Sequence, residues 1–109
     1  MHELEIAESV VEMLHECADG REVGIVRLTV GQLSGVVPDT LTFCFELATA
    51  GTDLESAVLE IATQPGLAHC RSCDEDYCLS GPSLLCRCGS TDVQLVAGRE
   101  LTVDSVEVA

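Results

Sequence analysis

Residues 69–90 read HCRSCDEDYCLSGPSLLCRCGS, and the reading of this stretch decides how the chain is organised. Cys70-Arg71-Ser72-Cys73 is a C-x-x-C pair and Cys86-Arg87-Cys88-Gly89 a tighter C-x-C-G pair, with twelve residues between them. Four thiolates brought in by two short loops suit a tetrahedral Zn²⁺ ion, and four protein ligands leave no position for a reactive water. Residues 67–92 are rich in Cys, Ser, Gly and Asp and show little hydrophobic periodicity. Such a segment cannot offset its ordering entropy by apolar burial. Metal binding is expected to supply that folding energy instead. Arg71 and Arg87 lie inside the two loops, where their charge is expected to stabilise the sulfurs. Cys78 is an alternative to one of the pair members, disfavoured because its lone position in DEDYCLSG offers no knuckle; His69 abuts Cys70, where it could swap in as a ligand under altered pH, but is expected to be an ordinary solvent-facing His.

Working outward, the flanks have ordinary periodicity. Residues 4–18 carry Leu4, Ala7, Val11, Leu14 and Ala18 as a helical stripe, with Glu5, Glu8, Glu12 and Glu16 beside it. Asp19-Gly20 ends that helix. In VGIVRLTVG, Val26, Leu28 and Val30 alternate with Arg27 and Thr29, the pattern of a strand with one buried face. Gly31 and Gly35 bracket a turn, and Pro38 suits the first turn of a second helix that faces Leu41, Phe45 and Ala48 inward, with Cys44 and Leu47 beside them. Residues 57–63 alternate again, so the first half reads α-β-α-β up to Pro65-Gly66. After the cysteine segment, LTVDSVEV (101–108) alternates with an imperfect end of register. A lone terminal strand is unstable, so it is expected to return to the earlier sheet. The expectation is an α+β fold: a small mixed three-stranded sheet with two helices, formed by residues 1–66 and 98–109, with residues 67–97 inserted as a four-Cys zinc module.

Composition narrows the function. The chain has 109 residues, with 5 Lys+Arg against 19 Asp+Glu and a formal net charge of −14; all five basic residues are arginines. That surface repels phosphate backbones and speaks against nucleic acid despite the cysteines. No apolar run reaches bilayer-spanning length, so no membrane insertion is expected. MHELEIAESV has neither the basic start nor the apolar stretch of a secretory leader, and a cytoplasmic protein is expected. Seven cysteines, five of them crowded between 70 and 88, fit metal binding better than disulfides in that compartment. Cys17 and Cys44, isolated in the two helical patterns, are expected to be small buried residues.

Met1-His2-Glu3 is the second candidate site. A bulky second residue disfavours removal of Met1, which leaves a free α-amine. With a metal on that amine, the backbone nitrogen of His2 closes a five-membered chelate ring and its imidazole a six-membered one. Glu3 adds a fourth donor through its backbone nitrogen or its carboxylate. Nitrogen-rich tetragonal sites suit Ni²⁺ and Cu²⁺.

MHELEIAESV, VGQLSGVVPDTLTFCFELATAGT and the two cysteine pairs with CGS together resemble the HypA/HybF family of hydrogenase nickel-incorporation proteins, along essentially the whole chain. The resemblance implies a nickel metallochaperone rather than an enzyme. It implies nickel at Met1, His2 and Glu3 and structural zinc on Cys70, Cys73, Cys86 and Cys88. The second pair departs from the family's usual C-P-x-C, with Cys86 one residue closer to Cys88. The implied partners are a HypB-type GTPase, the precursor of the [NiFe]-hydrogenase large subunit and, in some organisms, urease maturation proteins. The rival reading is a structural zinc-binding module that docks other proteins and carries no nickel. A zinc enzyme is disfavoured by the closed four-Cys set, and a dithiol switch by the two neighbouring pairs.

Overall fold

A computed structural model describes residues 2–79 and 85–109; Met1 and residues 80–84 lie outside the described residues. The elements, in chain order, are α1 (His2–Ala18), β1 (Val23–Gly31), α2 (Pro38–Thr49), β2 (Val58–Gln64), β3 (Gly66–Cys70), β4 (Asp76–Leu79), β5 (Val93–Ala97) and β6 (Leu101–Val108). Two three-stranded sheets form, in the orders β2-β1-β6 and β4-β3-β5. β1 runs parallel to β2, the two being joined through α2, and antiparallel to β6. The first sheet is therefore mixed, and its third strand is the segment that follows the cysteines.

The core lies between the first sheet and the two helices. Val23, Val26, Leu28 and Val30 of β1 are buried against Ala7, Val10, Leu14 and Ala18 of α1 and Leu41, Cys44 and Phe45 of α2. The buried face of α1 is rotated from the expected stripe: Leu4 is exposed, Val10 replaces Val11 as the buried residue, and Glu3 turns inward. The cause is a tertiary bond. The Glu3 carboxylate accepts the backbone N–H of Val37, the N-cap residue of α2, which has no side-chain cap of its own. A carboxylate at that helix start also meets the positive end of its dipole. Pro38 occupies the first turn of α2 as expected. Cys44 is buried but Cys17 is exposed, contrary to expectation, because it falls on the solvent side of the rotated helix. Leu47 is exposed for the same kind of reason, one position off the α2 core face.

The irregular end of the 101–108 alternation has a definite origin. Arg27 pairs with Ser105 and the next residue, Leu28, with Val103, so Asp104 is an extra residue in β6. This β-bulge restores Val106 to the side of the sheet that meets the core, where it packs half-buried. The Asp104 carboxylate accepts hydrogen bonds from the Thr29 and Thr102 hydroxyls. Beside it, Arg27 bridges Glu60 of β2 and Glu107 of β6 at 3.2 and 3.0 Å.

The cysteine segment has more regular structure than its composition suggests. Its β3, β4 and β5 form an antiparallel sheet through short pairings, with Ala68, Cys70 and Leu79 buried. The two sheets meet where three backbones cross. Gly31 N–H donates to Glu100 O at 2.7 Å, Gln32 N–H to Gln64 O at 2.9 Å, and Leu33 N–H to Gly98 O at 2.7 Å. A Cβ on Gly31 would lie 2.1 Å from the Gly98 carbonyl oxygen, and one on Gly98 would lie 2.6 Å from Gly66 Cα. Gly98 also sits at φ +114°, a conformation that glycine alone takes without strain.

Gly31→Ala should therefore destabilise the protein by about 2 kcal/mol or more, the scale of overpacking a core. In a domain of this size that is a fall in Tm of roughly 10 °C, readable by calorimetry at constant zinc. An unchanged Tm would show that the crossing gives way without cost.

Candidate metal sites

The two loops ahead of β4 and β5 deliver the cysteines. At the first, Cys70 ends β3, its carbonyl accepts the N–H of Asp74 at 2.8 Å, and Asp74 turns the chain at φ 61°. At the second, the Cys86 carbonyl accepts the Gly89 N–H at 2.9 Å and Gly89 turns at φ 90°. Ser72 and Ser90 hydroxyls bond across the two loops at 2.8 Å. These turns bring Cys70, Cys73, Cys86 and Cys88 together with all four sulfurs within 4.8 Å of one another. Cys70 and Cys88 sulfurs are 3.6 Å apart, and those of Cys73 and Cys86 3.7 Å. A Zn–S bond of about 2.3 Å implies tetrahedron edges of about 3.8 Å. The donor set and its spacing suit structural zinc, and the shortened C-x-C spacing does not prevent Cys86 from joining. Cys70 and Cys86 are buried, while Cys73 and Cys88 are exposed.

The electrostatics of the cluster also favour a cation. Backbone N–H groups of Cys73, then of Ser72, point at the Cys70 sulfur and lower its thiol to about 6. The neighbouring Cys70 sulfur, then burial, push Cys73 up to about 12. At Cys88 the Ser90 N–H lowers the thiol, but Cys86 and Cys70 outweigh it and the thiol is raised. One thiolate thus forms readily while Cys73 and Cys88 resist ionisation beside it, a conflict that a divalent ion removes.

The bystanders sort themselves by geometry. Cys78 lies on β4, is exposed and is not in the cluster. His69 is not simply solvent-facing: its Nδ1 meets Asp76 at 2.6 Å and its Nε2 meets Asp74 at 3.0 Å. The Asp76 carboxylate, with Asp74 behind it, raises the imidazole above its ordinary value. Arg71 turns to Asp92 at 2.9 Å instead of to the sulfurs, and so ties the first loop to the start of β5. The Asp residues that hold His69 and Arg71 were not singled out in the sequence, since nothing in DEDYCLSG or STDVQL marks a carboxylate for a partner.

At the other end of the chain, Met1 lies outside the described residues. His2 opens α1 with its side chain 55% exposed, whereas that of Glu3 is 7% exposed. His2 Nε2 is 3.1 Å from the Gly35 carbonyl oxygen and 3.4 Å from a Glu3 carboxylate oxygen. That Glu3 oxygen accepts the Val37 N–H at 3.1 Å, and this bond lowers the Glu3 carboxyl below its usual range. A groove of about 440 Å³ opens beside His2, between Ile6, Val10 and Met13 of α1 and Leu101 and Val103 of β6. No helix among the described residues is long and apolar enough to cross a membrane.

A two-helix, mixed-sheet body carrying a four-Cys group that could hold a metal ion defines the class as a small protein with a candidate metal module. The profile of the hydrogenase/urease nickel incorporation metallochaperone family, HypA, matches residues 1–108, and the chain belongs to that family. The hydrogenase maturation factor HypA of Trichormus variabilis is 44% identical over 108 residues, covering 99% of this chain and 96% of the relative. That of Streptomyces avermitilis is 46% identical over 112 residues, covering 97% and 86%. A solution structure of a HypA protein shares the fold at a TM-score of 0.71 with 21% identity, over 100% of this chain and 97% of the other. The solution structure of the nickel metallochaperone HypA from Helicobacter pylori shares it at a TM-score of 0.65 with 20% identity, over 97% and 96%. The family is one of metallochaperones, and these relatives are maturation factors.

Stripping zinc with a strong chelator should unfold the β3–β5 sheet, while the helical circular-dichroism signal of α1 and α2 persists in the main, since their core lies against the other sheet. Retention of slow amide exchange in residues 66–70 after complete zinc removal would contradict this.

Proposed function

We propose that this chain is a nickel metallochaperone that binds Ni²⁺ at Met1, His2 and Glu3 and assists its insertion into [NiFe]-hydrogenase during maturation. The observation that carries this reading is family membership along residues 1–108, joined to a His2 imidazole that is half exposed at the mouth of a groove. A carrier must hold its cargo specifically and still release it. An exposed terminal chelate meets both needs, because a partner's ligands can replace its donors one at a time. In this reading the protein acts in the cytoplasm with a HypB-type GTPase and the hydrogenase large-subunit precursor, and urease maturation proteins are alternative clients. The surface, at −14, favours basic partner faces.

In the same proposal Cys70, Cys73, Cys86 and Cys88 hold one structural zinc, and residues 67–97 are a module inserted between the two parts, 1–66 and 98–109, of the nickel domain. Zinc would neutralise part of the thiolate charge and lock the two loops, with no open position for chemistry. Purified protein should contain about one zinc per chain, and the Cys70→Ser/Cys73→Ser double variant should lose it; full zinc retention in that variant would reject the ligand set.

Nickel calorimetry on the tag-free protein, His2→Ala and a variant with one residue added before Met1 tests the cargo site. Each change removes a donor or separates the amine from the chelate. Each should weaken nickel at least about tenfold, equivalent to 1.4 kcal/mol, with zinc content unchanged. Equal affinities across the three would take nickel away from the terminus. They would favour the rival reading, a zinc-stabilised docking module in which His2 is dispensable.

A further inference from the structure

β6 is an edge strand, and the part of it that follows the crossing keeps one side of its backbone open. The sheet order is β2-β1-β6, so among the described residues only β1 pairs with β6. Gly31 N–H donates to Glu100 O, and in the same register Val30 pairs with Leu101, Thr29 with Thr102 and Leu28 with Val103. Main-chain direction alternates along an antiparallel pair. Thr102 therefore turns its N–H and C=O towards β1, as Glu100 does. Leu101 and Val103 turn theirs to the free edge.

The side chains of the same two residues line the groove under α1, and Ile6, Val10 and Met13 form its opposite wall. Leu101 and Val103 stay 40% and 37% exposed there. Free main-chain groups and unfilled apolar surface thus coincide at the same two positions. An edge strand pairs with other chains unless a bulge, a proline or a charge blunts it. Here the bulge begins at Asp104 and leaves 101–103 in regular register.

The other face of the sheet sets the charge of an occupant. Side chains of an added strand alternate between the groove and that outer face. On the outer face Asp104 accepts the hydroxyls of Thr29 and Thr102, and Glu60 and Glu107 flank Arg27. A basic residue suits that side, as it suits a chain of net charge −14. A second copy of this chain is the poorer occupant. Antiparallel pairing of Leu101 with Val103 of another copy sets Glu100 opposite Asp104 twice over, and like charges directly opposite repel.

We propose that residues 101–103 of β6 and the groove under α1 dock an extended segment of a partner protein by strand addition. The segment carries apolar residues opposite Leu101 and Val103 and a basic residue opposite Thr102, beside Asp104. Main-chain bonds supply the affinity and the groove selects the alternate side chains. Docking there needs no nickel, so it is independent of the cargo reading.

The test uses the zinc-loaded, nickel-free full chain and an acetylated, amidated probe peptide, Arg-Val-Arg-Val-Arg. Titration should show binding below about 1 mM, with slowed exchange of the Leu101 and Val103 amides and shifted methyl signals at Ile6, Val10 and Met13. N-methylation of the two valines removes the donors that meet β6 and should weaken binding at least about tenfold. The arginine N–H groups point away from β6, so N-methylation there should leave affinity within a factor of about two. Replacing the arginines by glutamates should abolish binding. No binding at about 1 mM, or undiminished affinity of either the valine-methylated or the glutamate peptide, would overturn the proposal. So would slow exchange of the Leu101 and Val103 amides in a peptide-free dimer, which would make the occupant a second copy.

Discussion

The antiparallel pairing of β6 with β1 is the constraint from which the rest of the structure follows. It joins residues from opposite ends of the chain, and the chain must leave the sheet after β2 and come back to it. The cysteine segment is what lies between. Because departure and return occur side by side, at residues 64–66 and 98–100, the second sheet emerges from the first through a single crossing. Gly31 and Gly98 are needed there because the backbones approach more closely than a Cβ permits, while a Cβ on Gly66 would press on the Leu33 side chain at 2.8 Å. Loop-closure entropy opposes such a long-range pairing, and the buried β1 face with its helical cover offsets it.

The same crossing links the two candidate metal sites. The loop that begins at Gly31 makes bonds on both sides: Leu33 packs towards Gly66 and Gly98, while Gly35 and Val37 meet His2 and Glu3. One short segment thus supports both the exit of the cysteine sheet and the orientation of the first turn of α1. The first turn of α1 is thereby tied to the start of α2. Glu3 reaches across to α2 and fills a capping role that Val37 cannot fill for itself. The buried carboxylate anchors the turn while the neighbouring imidazole stays open to solvent.

In the proposed reading the two sites serve opposite tasks, and their surroundings differ accordingly. The four sulfurs sit on turns stitched by backbone bonds, with two of them buried, as suits an ion that stays. His2 sits half exposed beside a groove, as suits an ion that leaves.

Much of this was legible in the residues. The alternation in 23–31 and 101–108, the α-β-α-β order, the two cysteine pairs and the Met-His-Glu start follow from period, spacing and donor chemistry, which are local properties. The strands of the cysteine segment were not legible, because β3, β4 and β5 are short and their pairing depends on partners that no local pattern names. The exposed Cys17, the inward Glu3 and the Asp partners of His69 and Arg71 escaped for a related reason. Helical periodicity identifies a stripe but not its rotation, and a carboxylate in an acidic chain carries no mark of the one hydrogen bond that will claim it. The sequence by itself determined which groups could bind metals and which segments could form helices and strands. Only the tertiary structure decided that Cys86 reaches the other three sulfurs despite its short spacing, and that Nε2 of His2 is the nitrogen held by Gly35 and Glu3, because both depend on contacts between residues far apart in the chain.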